Sequence, residues 1–250
     1  MKNKVQIEIC ANSVNSALAA QKGGASRVEL CQNLKEGGTT PSLGEIFTAR
    51  KLLEIDLYVL IRPRGGDFLY NDLEFEIMKK DVEQCINLGC NGIVIGILNK
   101  DGSIDMNRNR LLIDMACKAG LGVTFHRAFD MCDDLNAALE DVIELGCERI
   151  LTSGGMPKAY LGLINIKGLI EKANNRVIIM PGSGVNEENV KEIVDFSGAR
   201  EIHLSARTKV NSKMIYMNSL VNMGGELGEE YTIDVTDSER VLRVYNILNS

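Results

Sequence analysis

Two short motifs that pair an acid with a cysteine occur near the start of the chain, Glu8-Ile9-Cys10 and Glu29-Leu30-Cys31. Each lies in a run that alternates polar and aliphatic residues, so the acid and the cysteine share one face of a strand. Neighbouring strands lie about 4.8 Å apart, which lets the two thiols approach each other. Paired soft thiolates favour Cu(I) or zinc over hard cations. A free cysteine is otherwise most often a small apolar filler, and both roles stay open for Cys10 and Cys31.

Four residues have the side chains that proton transfer needs. The chain has only two histidines, and each lies at the C-terminal end of a predicted strand. Imidazole titrates near neutral pH, and a nearby carboxyl group is a suitable partner in general acid–base chemistry. The predicted catalytic candidates are Glu8, Glu29, His126 and His203. In the alternative interpretation, these groups belong to a structural polar core whose acids and arginines satisfy one another.

A further set of residues is typical of a site for a small anion. Arginine binds carboxylates and phosphates through paired N–H groups, and glycine-rich turns expose backbone amides to anions. Such turns follow the sixth and seventh predicted strands, as Thr152-Ser153-Gly154-Gly155 and Pro181-Gly182-Ser183-Gly184. Tight turns alone explain these glycines equally well. The candidate anion-binding residues are Arg62, Arg64, Arg127, Arg207, Ser153, Gly182 and Gly184. Asp130 is predicted to cap the helix after it rather than to orient His126.

The elements that must position these residues alternate strictly between strand and helix. The strand candidates are Val5–Cys10, Arg27–Cys31, Leu57–Arg62, Gly92–Gly96, Gly122–His126, Arg149–Thr152, Val177–Met180 and Glu201–Leu204. Eight such units predict a (β/α)8 TIM-type barrel, in which the loops after the strands build the site. We predict a single domain over residues 1–250, with a long loop at 205–235 after the eighth strand.

Composition narrows the classes of partner. The formal net charge of -6 gives no basic footprint for nucleic acid or for an anionic membrane. No apolar run reaches the roughly 18 residues that a membrane span needs, and no secretion signal is evident. The seven cysteines include no C-x-x-C pair, which favours free thiols in a reducing cytosol. We therefore expect a cytoplasmic protein. The long segment after Ser205 contains Met214, Ile215, Met217 and Met223, and these residues could cover the site or form a homo-oligomer.

Several longer motifs resemble those of the copper homeostasis protein CutC family. Besides Glu8-Ile9-Cys10 and the run from Arg27 to Cys31, the motifs are Gly37-Gly38-Thr39-Thr40-Pro41-Ser42, Ile61-Arg62-Pro63-Arg64-Gly65-Gly66-Asp67-Phe68, Thr124-Phe125-His126-Arg127-Ala128-Phe129-Asp130, Leu151-Thr152-Ser153-Gly154 and His203-Leu204-Ser205-Ala206-Arg207. The resemblance runs from the first strand into the eighth. It implies a TIM-type barrel, a cytoplasmic setting, a role in copper handling, and Cys10 and Cys31 as ligands of Cu(I).

Two hypotheses follow from the sequence. In the first, the protein takes part in copper homeostasis and binds Cu(I) near the C-terminal mouth of the barrel. In the second, it is a TIM-barrel enzyme that acts on a small phosphorylated or carboxylated metabolite by general acid–base chemistry. Whether the chain is an enzyme therefore stays open, as does the identity of its ligand, a copper ion or a small anionic metabolite.

Overall fold

Eight parallel strands surround a central axis, as the sequence predicts. The computed structural model describes residues 4–218, 220–221 and 229–249. The strands are β1 Gln6–Ala11, β2 Arg27–Leu30, β3 Asp56–Leu60, β4 Gly92–Ile95, β5 Gly122–Phe125, β6 Arg149–Thr152, β7 Ile178–Pro181 and β8 Glu201–Leu204. Hydrogen bonds join them in the order β7-β6-β5-β4-β3-β2-β1-β8. Gly182, directly after β7, packs against the side chain of His203 in β8, so the barrel is nearly closed.

Helices cover the outside of the barrel. They are α1 Val14–Lys22, α2 Leu43–Leu52, α3 Asp72–Asn87, α4 Met106–Lys118, α5 Leu135–Leu145, α6 Leu163–Ala173, α7 Val190–Ser197 and α8 Ser238–Asn249. The start of α2 has the capping box that the sequence indicates, because Ser42 and Glu45 each accept a backbone N–H of the other. None of the helices within the described part of the chain is long and apolar enough to cross a membrane.

The alternation of side chains separates two regions of the core. Aliphatic residues of the strands, such as Ile9 and Val28, are completely buried within the large apolar cluster that the strands form with the helices. The polar residues between them are also buried, among them Glu8, Arg27 and His203. Residues at successive positions of a strand point to opposite faces. The polar set therefore fills the barrel interior, as the sequence pattern predicts.

The segment after β8 is more ordered than the predicted loop at 205–235. Its two ends form an antiparallel pair, β9 Arg207–Asn211 and β10 Thr232–Thr236. The prediction was incomplete here because both strands are largely exposed or half-buried and lack the run of buried aliphatic residues that marks the barrel strands. A hydrogen bond of 3.1 Å from the Thr236 N–H to the Ser16 hydroxyl ties β10 to α1. Of the apolar residues noted in this segment, Met214, Ile215 and Met217 are exposed, whereas Met223 lies outside the described residues.

Candidate functional site

Paired charges fill the lower part of the barrel interior. The Arg27 guanidinium donates to the carboxylates of Glu8 and Glu201, and Arg149 Nε lies 3.1 Å from Glu201 Oε2. The ring of Tyr58 packs against both guanidinium groups, at 5.1 Å from Arg27 and 5.0 Å from Arg149. Burial would raise the pKa of Glu8, but Arg27 and His203 hold it at about 2. These groups satisfy one another and form the floor of the site.

His203 connects this floor to the mouth. Its Nδ1 lies 2.7 Å from Glu8 Oε1, and its Nε2 lies 3.8 Å from Glu29 Oε2. Burial disfavours a charged imidazole, but contacts with Cys10, Glu8 and Glu29 raise the pKa of His203 well above its usual value. Burial also raises the pKa of Glu29, and His203 opposes that rise. The strands β1, β2 and β8 thus bring three of the four predicted catalytic residues, Glu8, Glu29 and His203, into one chain of contacts.

Above His203 the two thiols lie side by side. The sulfur atoms of Cys10 and Cys31 are 3.3 Å apart. The parallel register places Cys10 opposite Glu29, so Cys31, two residues further along, projects to the same end of the barrel. Within the described residues, Cys10, Glu29 and Cys31 are the group whose ligand atoms lie close enough to hold a metal ion, all within 4.8 Å of one another. The contact with Cys31 and burial raise the pKa of the Cys10 thiol well above its usual value.

A cavity of about 110 Å³ opens above the thiols, and we call it the mouth cavity. Its polar lining comes from Cys10, Glu29, Cys31, Arg62, His126, Arg127 and His203. The cavity therefore combines soft sulfur ligands, one carboxyl group and cationic or N–H donor groups. Glu8 is the predicted catalytic residue that does not line it, because its carboxylate lies beneath His203.

His126 is positioned as a neutral hydrogen-bond donor. The residue caps the short 3-10 helix at Arg127–Met131, and its Nδ1 accepts the Ala128 N–H at 3.1 Å. A neutral imidazole whose Nδ1 accepts carries its proton on Nε2. Burial and the neighbouring Arg62 lower the pKa of His126 to about 3. Its Nε2 is buried without a hydrogen-bond partner among the described residues, so the ring offers an N–H group and carries no charge at neutral pH.

We expect the His126 ring to stay neutral, with its proton on Nε2, between about pH 5 and 8. Because its pKa falls from 6.5 to about 3 on folding, the unfolded chain takes up this proton first as the pH drops. The free energy of unfolding should therefore decrease as the pH falls from 6.5 toward 3. Nitrogen NMR of the ring checks the tautomer, and His126→Asn identifies its signals. A stability advantage of wild type over His126→Asn that does not shrink over this pH range contradicts the assignment.

Of the four arginines predicted to bind an anion, two line the mouth cavity and two do not. Arg62 lines the mouth cavity, and its guanidinium donates to the backbone carbonyls of Glu36, Gly38 and Gly66. Arg127 also lines the cavity but pairs with Asp130 at 2.7 Å. The other two have partners away from the cavity lining. Arg64 pairs with Asp67 and Glu74, and Arg207 Nε donates to the Ser205 hydroxyl at 3.2 Å.

The glycine-rich turn after β6 binds an anion that the chain itself supplies. The Asp130 carboxylate accepts the backbone N–H groups of Ser153 and Gly155, each at 3.0 Å, and the hydroxyl of Thr152. The prediction that Asp130 caps the next helix is wrong, since Asp134 caps α5. The true partners of Asp130 lie more than 20 positions away in the sequence, so no local pattern could reveal these contacts.

The turn after β7 has geometric reasons for its glycines. The Gly182 N–H donates to the Thr152 carbonyl at 2.9 Å, and a side chain at this position would collide with Leu151. Gly184 has φ +71° and lies against Lys158. The left-handed conformation and the close approach therefore account for these two residues.

Phe68 is a cavity residue that the sequence did not single out. Its ring lies 5.0 Å from the Arg62 guanidinium and 4.9 Å from the His126 ring. It lies in the long β3–α3 connection, where no periodic pattern indicates which side chains turn inward.

The chain closely matches known proteins over nearly its full length. The CutC family model matches residues 5–208. A CutC family protein of Bacteroides thetaiotaomicron is 50% identical over 249 residues, 99% of each chain. The copper homeostasis protein cutC homolog of Homo sapiens is 48% identical over 240 residues, covering 96% of this chain and 87% of its own.

One solved structure agrees with the family match, and another shares the fold. The crystal structure of the copper homeostasis protein CutC from Streptococcus agalactiae aligns with a TM-score of 0.75 and 38% identity, covering 80% of this chain and 97% of that one. Thiamine phosphate pyrophosphorylase from Pyrococcus furiosus aligns with a TM-score of 0.60 at 15% identity, a likeness of fold alone. The barrel, the paired cysteines and these full-length matches lead to one conclusion: the chain belongs to the CutC family, a family of copper homeostasis proteins.

Proposed function

We propose that this chain is a cytoplasmic copper-handling protein that binds Cu(I) through the thiolates of Cys10 and Cys31. The observation that carries the proposal is the 3.3 Å separation of the two sulfur atoms at the base of the mouth cavity. Membership of a copper homeostasis family supports it independently.

The donor set fits Cu(I) better than other common ions. Two thiolates are soft ligands, which favour Cu(I) or zinc, whereas a magnesium or calcium site is built from oxygen atoms. Structural zinc is almost always bound by four ligands, and the cluster within the described residues has only Cys10, Glu29 and Cys31. Because the raised pKa of Cys10 keeps its thiol protonated, the ion must displace a proton when it binds.

A competitive Cu(I) titration tests this function. Reduced, metal-free protein is titrated with Cu(I) against a chelator of known affinity. We expect a single Cu(I) to bind per chain and to be withdrawn from the chelator. Cys117→Ser is the matched control, because Cys117 is exposed on α4, far along the chain from the thiol pair, and its loss should leave the titration unchanged. A wild-type protein that withdraws no Cu(I) from the chelator contradicts the proposal.

A second candidate function is an enzyme that acts on a small anionic metabolite by general acid–base chemistry. One observation favours it: a buried carboxyl group, Glu29, lines the same cavity as two groups suited to an anion, Arg62 and His126. Burial raises the pKa of Glu29, as a group that exchanges protons near neutral pH requires. This candidate requires that the metal-free protein bind a small anion in the cavity, and a protein that binds none contradicts it.

A further inference from the structure

We propose that the mouth cavity binds the carboxylate group of a small monoanionic molecule between Arg62 and the Nε2–H of His126. This inference deepens the second candidate function by naming its ligand class, and it does not depend on Cu(I) binding. It rests on three features of the cavity: a buried cation, a buried N–H donor without a partner among the described residues, and a small enclosure with apolar side chains in its walls.

The cation is Arg62, whose side chain is buried with 5% exposure. Its terminal nitrogens donate to backbone carbonyls, at 2.8 Å to Glu36, 2.7 Å to Gly38 and 2.7 Å to Gly66. These carbonyl groups accept three of the five N–H groups of the guanidinium and carry no net charge. A buried charge is costly unless it is paired with an opposite charge, and no carboxylate of the described residues forms an ion pair with Arg62.

The neighbouring hydroxyl of Tyr70 does not supply that charge. Burial raises the pKa of the Tyr70 hydroxyl to about 12, even though Arg62 opposes the rise. The phenol therefore stays neutral at physiological pH. Neither the Tyr70 hydroxyl nor the Arg62 Nε has a hydrogen-bond partner among the described residues. The positive charge of Arg62 thus remains available to a ligand.

The directed donor is His126, which is also 5% exposed. One edge of its ring is fixed, because Nδ1 accepts the Ala128 N–H. The backbone of Gly96 packs against the same edge so closely that a β-carbon at this position would lie only 2.6 Å from Nδ1. The opposite nitrogen, Nε2, is buried and has no partner within the described part of the chain. A buried N–H without an acceptor is unfavourable, so a ligand oxygen at this point would relieve a defect of the free protein.

Size and charge select the ligand class. The cavity measures about 110 Å³, and its walls include Leu60, Phe68 and Leu151. One unpaired cation and one neutral donor match a single negative charge. A phosphate dianion would bring a second negative charge and more acceptor oxygens than Arg62 and His126 can donate hydrogen bonds to. A monocarboxylate with a short apolar or carbonyl-bearing chain, of the size of acetate or pyruvate, fits both the volume and the charge.

The test is carried out on reduced protein kept free of metal by a copper chelator. Acetate, pyruvate, inorganic phosphate and the uncharged acetamide are titrated while the ring Nε2–H of His126 is followed by NMR. Pyruvate or acetate is expected to shift this signal saturably at millimolar concentrations, phosphate more weakly, and acetamide not at all. His126→Asn keeps an acceptor for the Ala128 N–H but lacks the Nε2 donor, and it should weaken pyruvate binding at least tenfold by calorimetry. Arg110→Gln, a surface variant on α4, should bind as wild type does.

Two outcomes overturn the inference: no saturable shift with either carboxylate, or equal binding by His126→Asn and wild type. Either result leaves the Cu(I) proposal untouched, because no copper is present in the experiment.

Discussion

The double variant Cys10→Ser/Cys31→Ser is expected to lose tight Cu(I) binding while keeping its fold. Loss of a residue that merely supports a metal ligand weakens metal affinity by about 10–100-fold, so loss of both ligands should weaken it by more than about 100-fold. Serine has nearly the size of cysteine, and its hydroxyl is a hard ligand that Cu(I) does not favour. Competitive titration measures the affinity, and circular dichroism confirms that the variant is folded.

The single variants sharpen this prediction. Because the two sulfur atoms lie 3.3 Å apart and form one site, Cys10→Ser and Cys31→Ser should each lose most of the affinity that the double variant loses. Cys117→Ser removes an exposed thiol and should bind Cu(I) as tightly as wild type. Retention of tight binding by a folded double variant would show that copper binds elsewhere.

Arg27→Met is expected to destabilise the barrel by about 3–5 kcal/mol, the typical result of removing one partner of a buried ion pair. Arg27 contacts Glu8 and Glu201, and the side chains of all three are at least nine-tenths buried. Methionine fills much of the space but leaves the two carboxylates with less compensation. Urea unfolding at neutral pH gives the free energy of unfolding directly.

The pH dependence identifies the cause of this loss. In the wild type, folding lowers the pKa of Glu8 from 4.5 to about 2. This shift adds to the free energy of unfolding above pH 4.5, and the added stability is lost as the pH falls to 2. The deficit of Arg27→Met should therefore be largest near neutral pH and shrink on acidification. The double variant Glu8→Gln/Arg27→Met should be less destabilised than Arg27→Met alone, since it buries one carboxylate fewer. If the deficit is independent of pH, Arg27 stabilises the barrel through packing and not through charge.

The barrel and its polar interior follow from the sequence because their causes are local. Alternation of aliphatic and polar residues along each strand decides which side chains face inward, and this is how Glu8, Glu29 and His203 came to be predicted as one group. The approach of Cys10 and Cys31 follows from the same alternation combined with pairing of neighbouring strands. The strands β9 and β10 were missed because they are largely exposed or half-buried and lack a run of buried aliphatic residues.

The partners of the polar groups depend on contacts that no local pattern encodes. Arg62 and Arg64 fall on the same side of the alternating sequence pattern, yet Arg62 lines the mouth cavity and Arg64 pairs with Glu74. The glycine turn after β6 looks suited to an external anion, but Asp130 occupies its amides. The tautomer of His126 is set by the bond that its Nδ1 accepts from the Ala128 N–H. Each of these outcomes depends on backbone groups whose positions are set only by the complete fold.

X-ray absorption at the copper K-edge tests most directly the claim that Cys10 and Cys31 hold Cu(I). The reduced protein is loaded with an equimolar amount of Cu(I), and the spectrum reports the atoms bonded to the metal. We predict sulfur neighbours in the wild type and their loss in Cys10→Ser/Cys31→Ser. A spectrum dominated by nitrogen and oxygen, or one that the double substitution leaves unchanged, would contradict the assignment of copper to this pair of thiols.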